Sequence, residues 1–166
     1  MGNILNMARN TIRGLERRTR IGGILMESQE IGSRHIVRID KGEEIVESLN
    51  RFCAEKGITA GTVQGLGATG KAVIGWFEPA TRKYHSTSLS GDYEIVSLLG
   101  NITTMDGKPY LHIHACLAGK DQKVIGGHLS SAVVSATFEG FIDDWKGMAC
   151  RKFSNQDGLN LLSFGR

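Results

Sequence analysis

Three of the five histidines are spaced so that their side chains could bind one metal ion. His112 and His114 alternate with apolar residues in Tyr110–Ala118, which is typical of a strand whose residues two apart share a face. Such residues lie about 6.5–7 Å apart, so both imidazoles can reach one small ion. His128 follows in Gly126-Gly127-His128-Leu129, where two glycines allow close backbone approach. Three neutral imidazoles with an open fourth position are typical of catalytic zinc, so we expect a divalent-metal site, most simply zinc.

The same residues have a simpler interpretation, in which they are polar side chains that face solvent or an interface and have their hydrogen bonds satisfied there. Cys116 shares the face of His112 and His114, and its role as a fourth ligand stays open, although cysteine is more often a small buried hydrophobe. His35 and His85 have no comparable partners in the sequence, and we interpret both as non-functional.

Catalysis at such a site would also require an acid or a base. Glu139 is the first candidate because it is an acid inside the otherwise apolar segment Ala136–Gly140, and Glu94 is a second. An outward-facing charge on an edge strand explains Glu139 equally well. No serine, histidine and aspartate are spaced in a way that would indicate a catalytic triad.

The surrounding sequence predicts one helix and several strands that would position these side chains. Glu43–Lys56 has apolar residues at three- and four-residue steps, acids in its first turn and Gly57 after its end, which is typical of an amphipathic helix. Elsewhere the period is two, and Asp106-Gly107 predicts a type I′ hairpin. The predicted strands are 34–40, 59–64, 72–77, 82–89, 93–104, 109–118, 133–141 and a last one at 149–153, with a short helix or loop at 143–147. The fold class is therefore α+β: a mainly antiparallel sheet of six or seven strands with one principal amphipathic helix packed on it.

Gly65-Leu66-Gly67-Ala68-Thr69-Gly70 matches the glycine string of dinucleotide-binding proteins. That motif requires a helix after the last glycine, whereas Lys71–Phe77 has the pattern of a strand. We interpret the glycines as a turn packed close to another backbone.

The chain has 166 residues and a net charge of +3, and the charge is unevenly distributed. Residues 1–20 carry five arginines and one glutamate, whereas residues 21–166 carry 15 basic and 16 acidic side chains. The basic character therefore belongs to the N-terminal segment. The composition, 40% hydrophobic and 22% charged, excludes disordered, collagen-like, coiled-coil and disulfide-scaffold proteins.

Three cysteines without a CxxC pair predict a reducing compartment, and we expect a cytoplasmic protein. No apolar run approaches the ~20 residues of a membrane span, so no membrane association is expected.

We divide the chain into a basic, at least partly flexible extension at 1–33, one domain at 34–154 and a C-terminal tail at 155–166. The first segment has three open interpretations: a native extension, an organelle transit peptide, or residues upstream of a true start at Met7 or Met26. Arg13, Arg17, Arg18 and Arg20 are its candidate contacts to nucleic-acid phosphates.

Several blocks taken in order resemble the PPC (plants and prokaryotes conserved) domain family over residues 34–147. They are the Gly-Glu-Glu helix start, Gly65–Gly70, Val96–Ile102, Asp106–Pro109, Leu111–Ala115 and Gly126–Leu129. The resemblance implies an α+β homotrimer whose bacterial members are commonly described as predicted DNA-binding proteins. The fold is also related to acetolactate decarboxylase, a zinc enzyme with a comparable site, which implies His112, His114 and His128 as ligands.

The resemblance leaves two functions open. The first is a homotrimeric DNA-binding or regulatory module, although neither Arg13-Gly14-Leu15 nor Arg18-Thr19-Arg20 supplies the Arg-Gly-Arg-Pro core of the AT-hook found in plant members. The second is a zinc-dependent lyase or hydrolase that acts on a small oxygenated substrate.

Overall fold

One mainly antiparallel sheet with a single helix on it makes up the computed structural model, which describes residues 17–21 and 24–164, with side chains from residue 26 onward. The strands are β1 Arg17–Ile21, β2 Ile24–Ile31, β3 Arg34–Asp40, β4 Gly61–Glu78, β5 Lys83–Met105, β6 Lys108–Ala118, β7 Val124–Asp144, β8 Cys150–Ser154 and β9 Leu159–Ser163. The strands β5 and β8 make the parallel pair of the sheet. The helix α1 spans Ile45–Lys56. The predicted α+β class is confirmed, with nine strands among the described residues where six or seven were predicted.

The helix begins and ends where its sequence predicts, to within two residues. The Glu44 carboxylate caps its first turn by accepting from the backbone N–H groups of Val46 and Glu47, at 3.2 and 2.5 Å. Gly57 ends it in the left-handed conformation, with φ of 66°. The buried face of α1 packs on β6 and β7, and it consists of Ile45, Ser48, Leu49, Phe52 and Cys53.

The sheet runs in the order β1-β2-β3-β7-β4-β5-β8-β9, and β6 pairs with both β5 and β7. Because β4 also pairs with both β5 and β7, these four strands form a closed ring of hydrogen-bonded neighbours. The core lies between this sheet and α1. Its fully buried large side chains include Phe52, Phe138, Leu98, Ile113 and Ile142.

Strand lengths differ from the sequence prediction at three places, one of which is β7: it begins at Val124, whereas the sequence predicts a strand at 133–141. The residues between the predicted strands 59–64 and 72–77 continue the long strand β4, and those between 82–89 and 93–104 continue β5, so each pair of predicted strands is a single strand. The glycines of β4 permit close approach to β7: a Cβ on Gly65 would lie 2.4 Å from the Phe138 ring, and one on Gly67 would lie 2.3 Å from the carbonyl oxygen of Thr137. The predicted close packing is present, but the predicted turn is absent and register shifts in β4 replace it.

The hairpin between β5 and β6 has the predicted geometry. Asp106 and Gly107 have φ values of 52° and 75°, as a type I′ turn requires, and Met105 pairs with Lys108.

The sheet also extends past the domain limits drawn at 34 and 154. Within the segment predicted as an extension, β2 pairs along β3 and buries Met26. Within the segment predicted as a tail, β9 pairs with β8. Among the described side chains of these two strands Met26 alone is buried, which leaves little periodic signal in the sequence.

Candidate metal centre

The histidines lie side by side on the outward face of two neighbouring strands. His112 and His114 alternate on β6 with Ile113, Ala115 and Leu117, which are buried against the core as the period of two predicts. His128 lies on β7 as the direct cross-strand partner of His114. Because cross-strand partners share a face, the pairing brings the third imidazole beside the first two.

The three imidazoles, which we call the histidine cluster, are close enough to share one ion. The Nε2 atoms of His112 and His114 are 3.1 Å apart, and one ring nitrogen from each of the three histidines lies within 4.8 Å of the others. A tetrahedral zinc ion with Zn–N bonds of ~2.05 Å holds its ligand nitrogens about 3.3 Å apart. The donor set and its spacing therefore fit a divalent metal of the zinc type with small movements of the rings.

Burial and neighbouring positive charges favour the neutral form that a metal requires. Burial lowers the pKa of His112 to about 4, with further lowering from His128, Arg151 and His114. Burial also lowers the pKa of His128, and His114 contributes to this shift. Neutral imidazoles keep a lone pair available, so protons compete little with a metal at these two residues near neutral pH.

Two glycines position His128 by letting β7 approach its neighbours on both sides. A Cβ on Gly126 would lie 2.6 Å from the carbonyl oxygen of Ala115 on β6, and one on Gly127 would lie 2.5 Å from that of Gly75 on β4. No real Cβ atom is tolerated at such distances. The Gly-Gly-His spacing in the sequence therefore reflects a packing requirement next to the histidine cluster.

The histidine cluster lies in the wall of a cavity of about 560 Å³, formed by β4, β5, β6, β7 and the β8–β9 hairpin. Its other lining residues include aromatic and apolar side chains, together with the polar residues Arg151 and Asn160. Tyr84 contacts His128 edge-on, with 5.9 Å between ring centroids. The arrangement can hold a small molecule directly beside a bound metal ion.

Other predicted site residues lie elsewhere. Glu139 is exposed on the far part of β7, where it pairs with Arg38 and Leu66 and lines grooves separate from the cavity. Glu94 is exposed on β5, where it pairs with Ala68 and Ala118. The structure therefore brings neither acid to the histidine cluster.

The cysteine and the two remaining histidines also have defined positions. Cys116 is a free thiol packed beside Gly126, outside the histidine cluster. His35 is buried and contacts Phe52 edge-on, whereas His85 stacks on Trp76 with ring centroids 4.7 Å apart.

The candidate arginines lie at or beyond the start of the described residues. Arg13 lies outside them. Arg17, Arg18 and Arg20 are in β1, which pairs with β2, and their side chains are not among those described. The predicted phosphate contacts therefore stay predictions.

The cavity contains residues that sequence reasoning missed. Arg151, Phe153 and Asn160 come from the β8–β9 hairpin, far along the chain from the histidines, and no motif marks them. Of the cavity residues outside the histidine cluster, only Tyr110 could be found from the sequence, because the alternation of β6 places it on the face of His112 and His114.

Fold and site together define a class: an α+β domain with a ring of four antiparallel strands and a histidine cluster suited to a metal ion. Residues 26–146 match the family model of the Plants and Prokaryotes Conserved (PCC) domain. The chain belongs to this family, for which the abbreviation PPC is also in use.

Solved structures share most of this fold. A "putative DNA binding protein" from Bacteroides thetaiotaomicron is 35% identical, with a TM-score of 0.83 over 85% of this chain and 99% of its own. A metal-containing protein from Archaeoglobus fulgidus is 39% identical, with a TM-score of 0.75 over 81% of this chain and 96% of its own.

Curated relatives from Arabidopsis thaliana are more distant. AT-hook motif nuclear-localized proteins 15 and 28 are each 26% identical, over 68% and 63% of this chain. The matches span only 36% and 53% of those proteins, so the chain covers about a third to a half of their length.

Within the described part of the chain, no helix combines the length and apolarity that crossing a bilayer demands.

Proposed function

We propose that this PCC-domain protein is a homotrimer that binds one zinc ion per chain through His112, His114 and His128 and acts as a DNA-binding or regulatory module. The observation that carries the metal site is the convergence of three ring nitrogens within 4.8 Å. The metal-containing relative from Archaeoglobus fulgidus supports the same interpretation.

Each histidine would contribute one neutral nitrogen, and the fourth position would face the cavity. A zinc ion bound there would act as a Lewis acid toward an oxygen atom in the cavity. The chain's own contribution is to hold the three rings in fixed positions: His112 and His114 through the alternation of β6, and His128 through the close packing of Gly127.

Zinc content tests the site directly. Protein purified without an affinity tag should hold about one zinc per chain by elemental analysis, and the His112→Ala/His114→Ala variant should hold almost none. His85→Ala is the matched control, because it removes a histidine outside the histidine cluster. Equal zinc in all three proteins would refute the metal site.

The outward face of the sheet supports assembly of several chains. Leu66 and Leu99 are each 60% exposed and Phe141 is 51% exposed, and all three line one groove. Exposed apolar side chains grouped in this way are typical of a protein–protein interface. Light scattering should give three times the chain mass, and Leu66→Glu should lower it, whereas Leu162→Glu, an exposed leucine outside the groove, should not. A monomeric wild-type chain would contradict the trimer.

The DNA role is supported by the names of the relatives and by the arginine-rich N-terminal segment. We expect sequence-independent contacts to phosphates, whose affinity falls steeply with salt. Changing Arg13, Arg17, Arg18 and Arg20 to Gln in the full chain should weaken binding to duplex DNA and flatten its salt dependence. Unchanged binding would place the contacts elsewhere, and no binding by the wild-type chain would refute the role.

A second candidate function is a zinc-dependent lyase or hydrolase acting on a small oxygenated substrate. The specific observation in its favour is the cavity of about 560 Å³ next to the histidine cluster. A concave site of this size is typical of proteins that bind a small molecule, whereas a module without a small-molecule ligand does not require such a cavity. Zinc-loaded wild type should cleave a small ester or 2-hydroxy-oxo acid, and the His112→Ala/His114→Ala variant should not. Equal turnover by both would reject this function.

A cytoplasmic location stays part of the proposal, supported by the three free thiols.

A further inference from the structure

A buried arginine without an acidic partner forms part of the cavity wall. Arg151 on β8 is only 7% exposed, yet it lines the cavity beside the histidine cluster. Its Nε donates to the Thr103 hydroxyl at 3.0 Å, and its Nη1 donates to the carbonyl oxygen of Asn160 at 2.8 Å. Both acceptors are neutral, and within the described residues no carboxylate pairs with it.

This position is costly for a positive charge. A guanidinium stays cationic in proteins, and burial of an unpaired charge is strongly unfavourable. Two of its five N–H donors are used, which leaves three donors on Nη1 and Nη2. Two donors on the end of the guanidinium suit a planar carboxylate, which can accept both.

Arg151 also lies close to the histidine cluster. Its guanidinium carbon is 5.2 Å from the centre of the Tyr110 ring, and Tyr110 shares the strand face of His112 two residues away. An anion at Arg151 would therefore reach toward the ring nitrogens with only a few atoms between them. The ligand that fits is small.

The rest of the cavity is apolar and aromatic. Trp76, Tyr84, Phe153, Leu159 and Leu161 line it and are each between 37% and 57% exposed. Exposed side chains of this size around a concave surface favour an apolar ligand body, because its burial removes their surface from water.

We infer that the cavity binds a small organic carboxylate, with its carboxylate on Arg151 and its apolar body against the aromatic wall. The inference deepens the second candidate function, on which it rests for the use of the cavity, and it does not depend on the metal. Arg151, Phe153 and Asn160 all follow residue 146, where the family match ends. Ligand choice would thus be set by the β8–β9 hairpin.

Calorimetric titration of the full chain with hexanoate, its neutral isostere hexanamide and inorganic phosphate tests the inference, with and without added zinc. Hexanoate should bind saturably and at least about tenfold more tightly than hexanamide, as expected for hydrogen bonds to a charged group. Arg151→Gln should abolish this preference, and Arg151→Lys should keep part of it. Lys152→Gln is the matched control, because it removes the same charge from the exposed neighbour on β8.

Four results would overturn the inference: no hexanoate binding in either zinc state, equal affinity for hexanoate and hexanamide, phosphate binding without hexanoate binding, or equal losses in Arg151→Gln and Lys152→Gln. Circular dichroism and melting curves check that each variant is folded. If Arg151→Gln does not fold, the wild-type comparison of hexanoate with hexanamide, together with Arg151→Lys, still decides. Zinc content is measured separately, so an absent metal site and an absent carboxylate site give different results.

Discussion

Adding one methyl group at Gly127 should displace His128 and weaken metal binding. A Cβ there would lie 2.5 Å from the carbonyl oxygen of Gly75, about 0.9 Å closer than ordinary contact, which begins near 3.4 Å. The obstacle is backbone rather than a flexible side chain, so β7 must move away from β4. Gly75 is the direct cross-strand partner of His128, which places the movement at the proposed metal ligand itself.

The size of the effect follows from the tolerance of metal bonds. Zinc–nitrogen distances hold to within about ±0.2 Å, so a displacement of several tenths of an ångström removes one of three ligands. We expect Gly127→Ala to lower zinc affinity at least about 100-fold, since even outer-shell changes cost about 10–100-fold. Overpacking should lower the free energy of unfolding by about 1–3 kcal/mol.

Competition with a zinc-binding dye gives the affinity, and circular dichroism shows whether the sheet is retained. Gly70→Ala is the matched control: it makes the same change in β4, where the nearest atom to a new Cβ is the Ser135 Cβ at 3.5 Å. Wild-type zinc affinity in Gly127→Ala would refute the reasoning that close backbone packing sets the position of His128. An equal loss in Gly70→Ala would refute it too.

Three further predictions concern stability. Burial lowers the pKa of His35, so the unfolded chain binds a proton near pH 6.5 before the folded chain does, and stability is lost as pH falls below that value. His35→Leu should reduce this loss in urea melts between pH 7 and 5; equal pH dependence would contradict it. Glu44→Ala should lower the free energy of unfolding in urea by about 1–2 kcal/mol, because it removes the helix cap and the acceptor of the Ala132 N–H at 2.7 Å. Glu55→Ala, which changes an exposed glutamate of the same helix, should lower it by less than about 0.5 kcal/mol. Equal losses in the two variants would exclude a capping role. Phe138→Ala should cost about 3–5 kcal/mol in calorimetry because the ring is fully buried, and a cost below about 1 kcal/mol would mean that it does not hold the core.

Local patterns predicted much of the fold. The amphipathic period and Gly57 located α1, and the Asp-Gly pair located the β5–β6 turn, because both depend on residues near in sequence. The alternation of β6 also predicted that His112 and His114 share a face. Each of these features is set by backbone geometry within a few residues.

Strand continuity could not be predicted in the same way. The sequence around Gly65 and Gly67 has the pattern of a turn. In the structure both residues lie within β4, where β7 packs so closely that only glycine fits. The reason is a contact with Thr137 and Phe138, some 70 residues away, which leaves no local signal. The N-terminal strand β2 was also missed, because Met26 is the single buried residue among its described side chains.

The sequence by itself determined the helix, the hairpin and the chemical type of the candidate site, because three histidines with this spacing favour a metal under any arrangement that brings them together. Tertiary structure decided the rest. Pairing of His114 with His128 closed the histidine cluster, and the sheet kept Glu139 away from it. The β8–β9 hairpin brought Arg151 to the same cavity, since hydrogen bonds to Thr103 and Asn160 hold a cation where water is largely excluded. Contacts between distant segments depend on how the sheet folds together, and short-range patterns do not encode them.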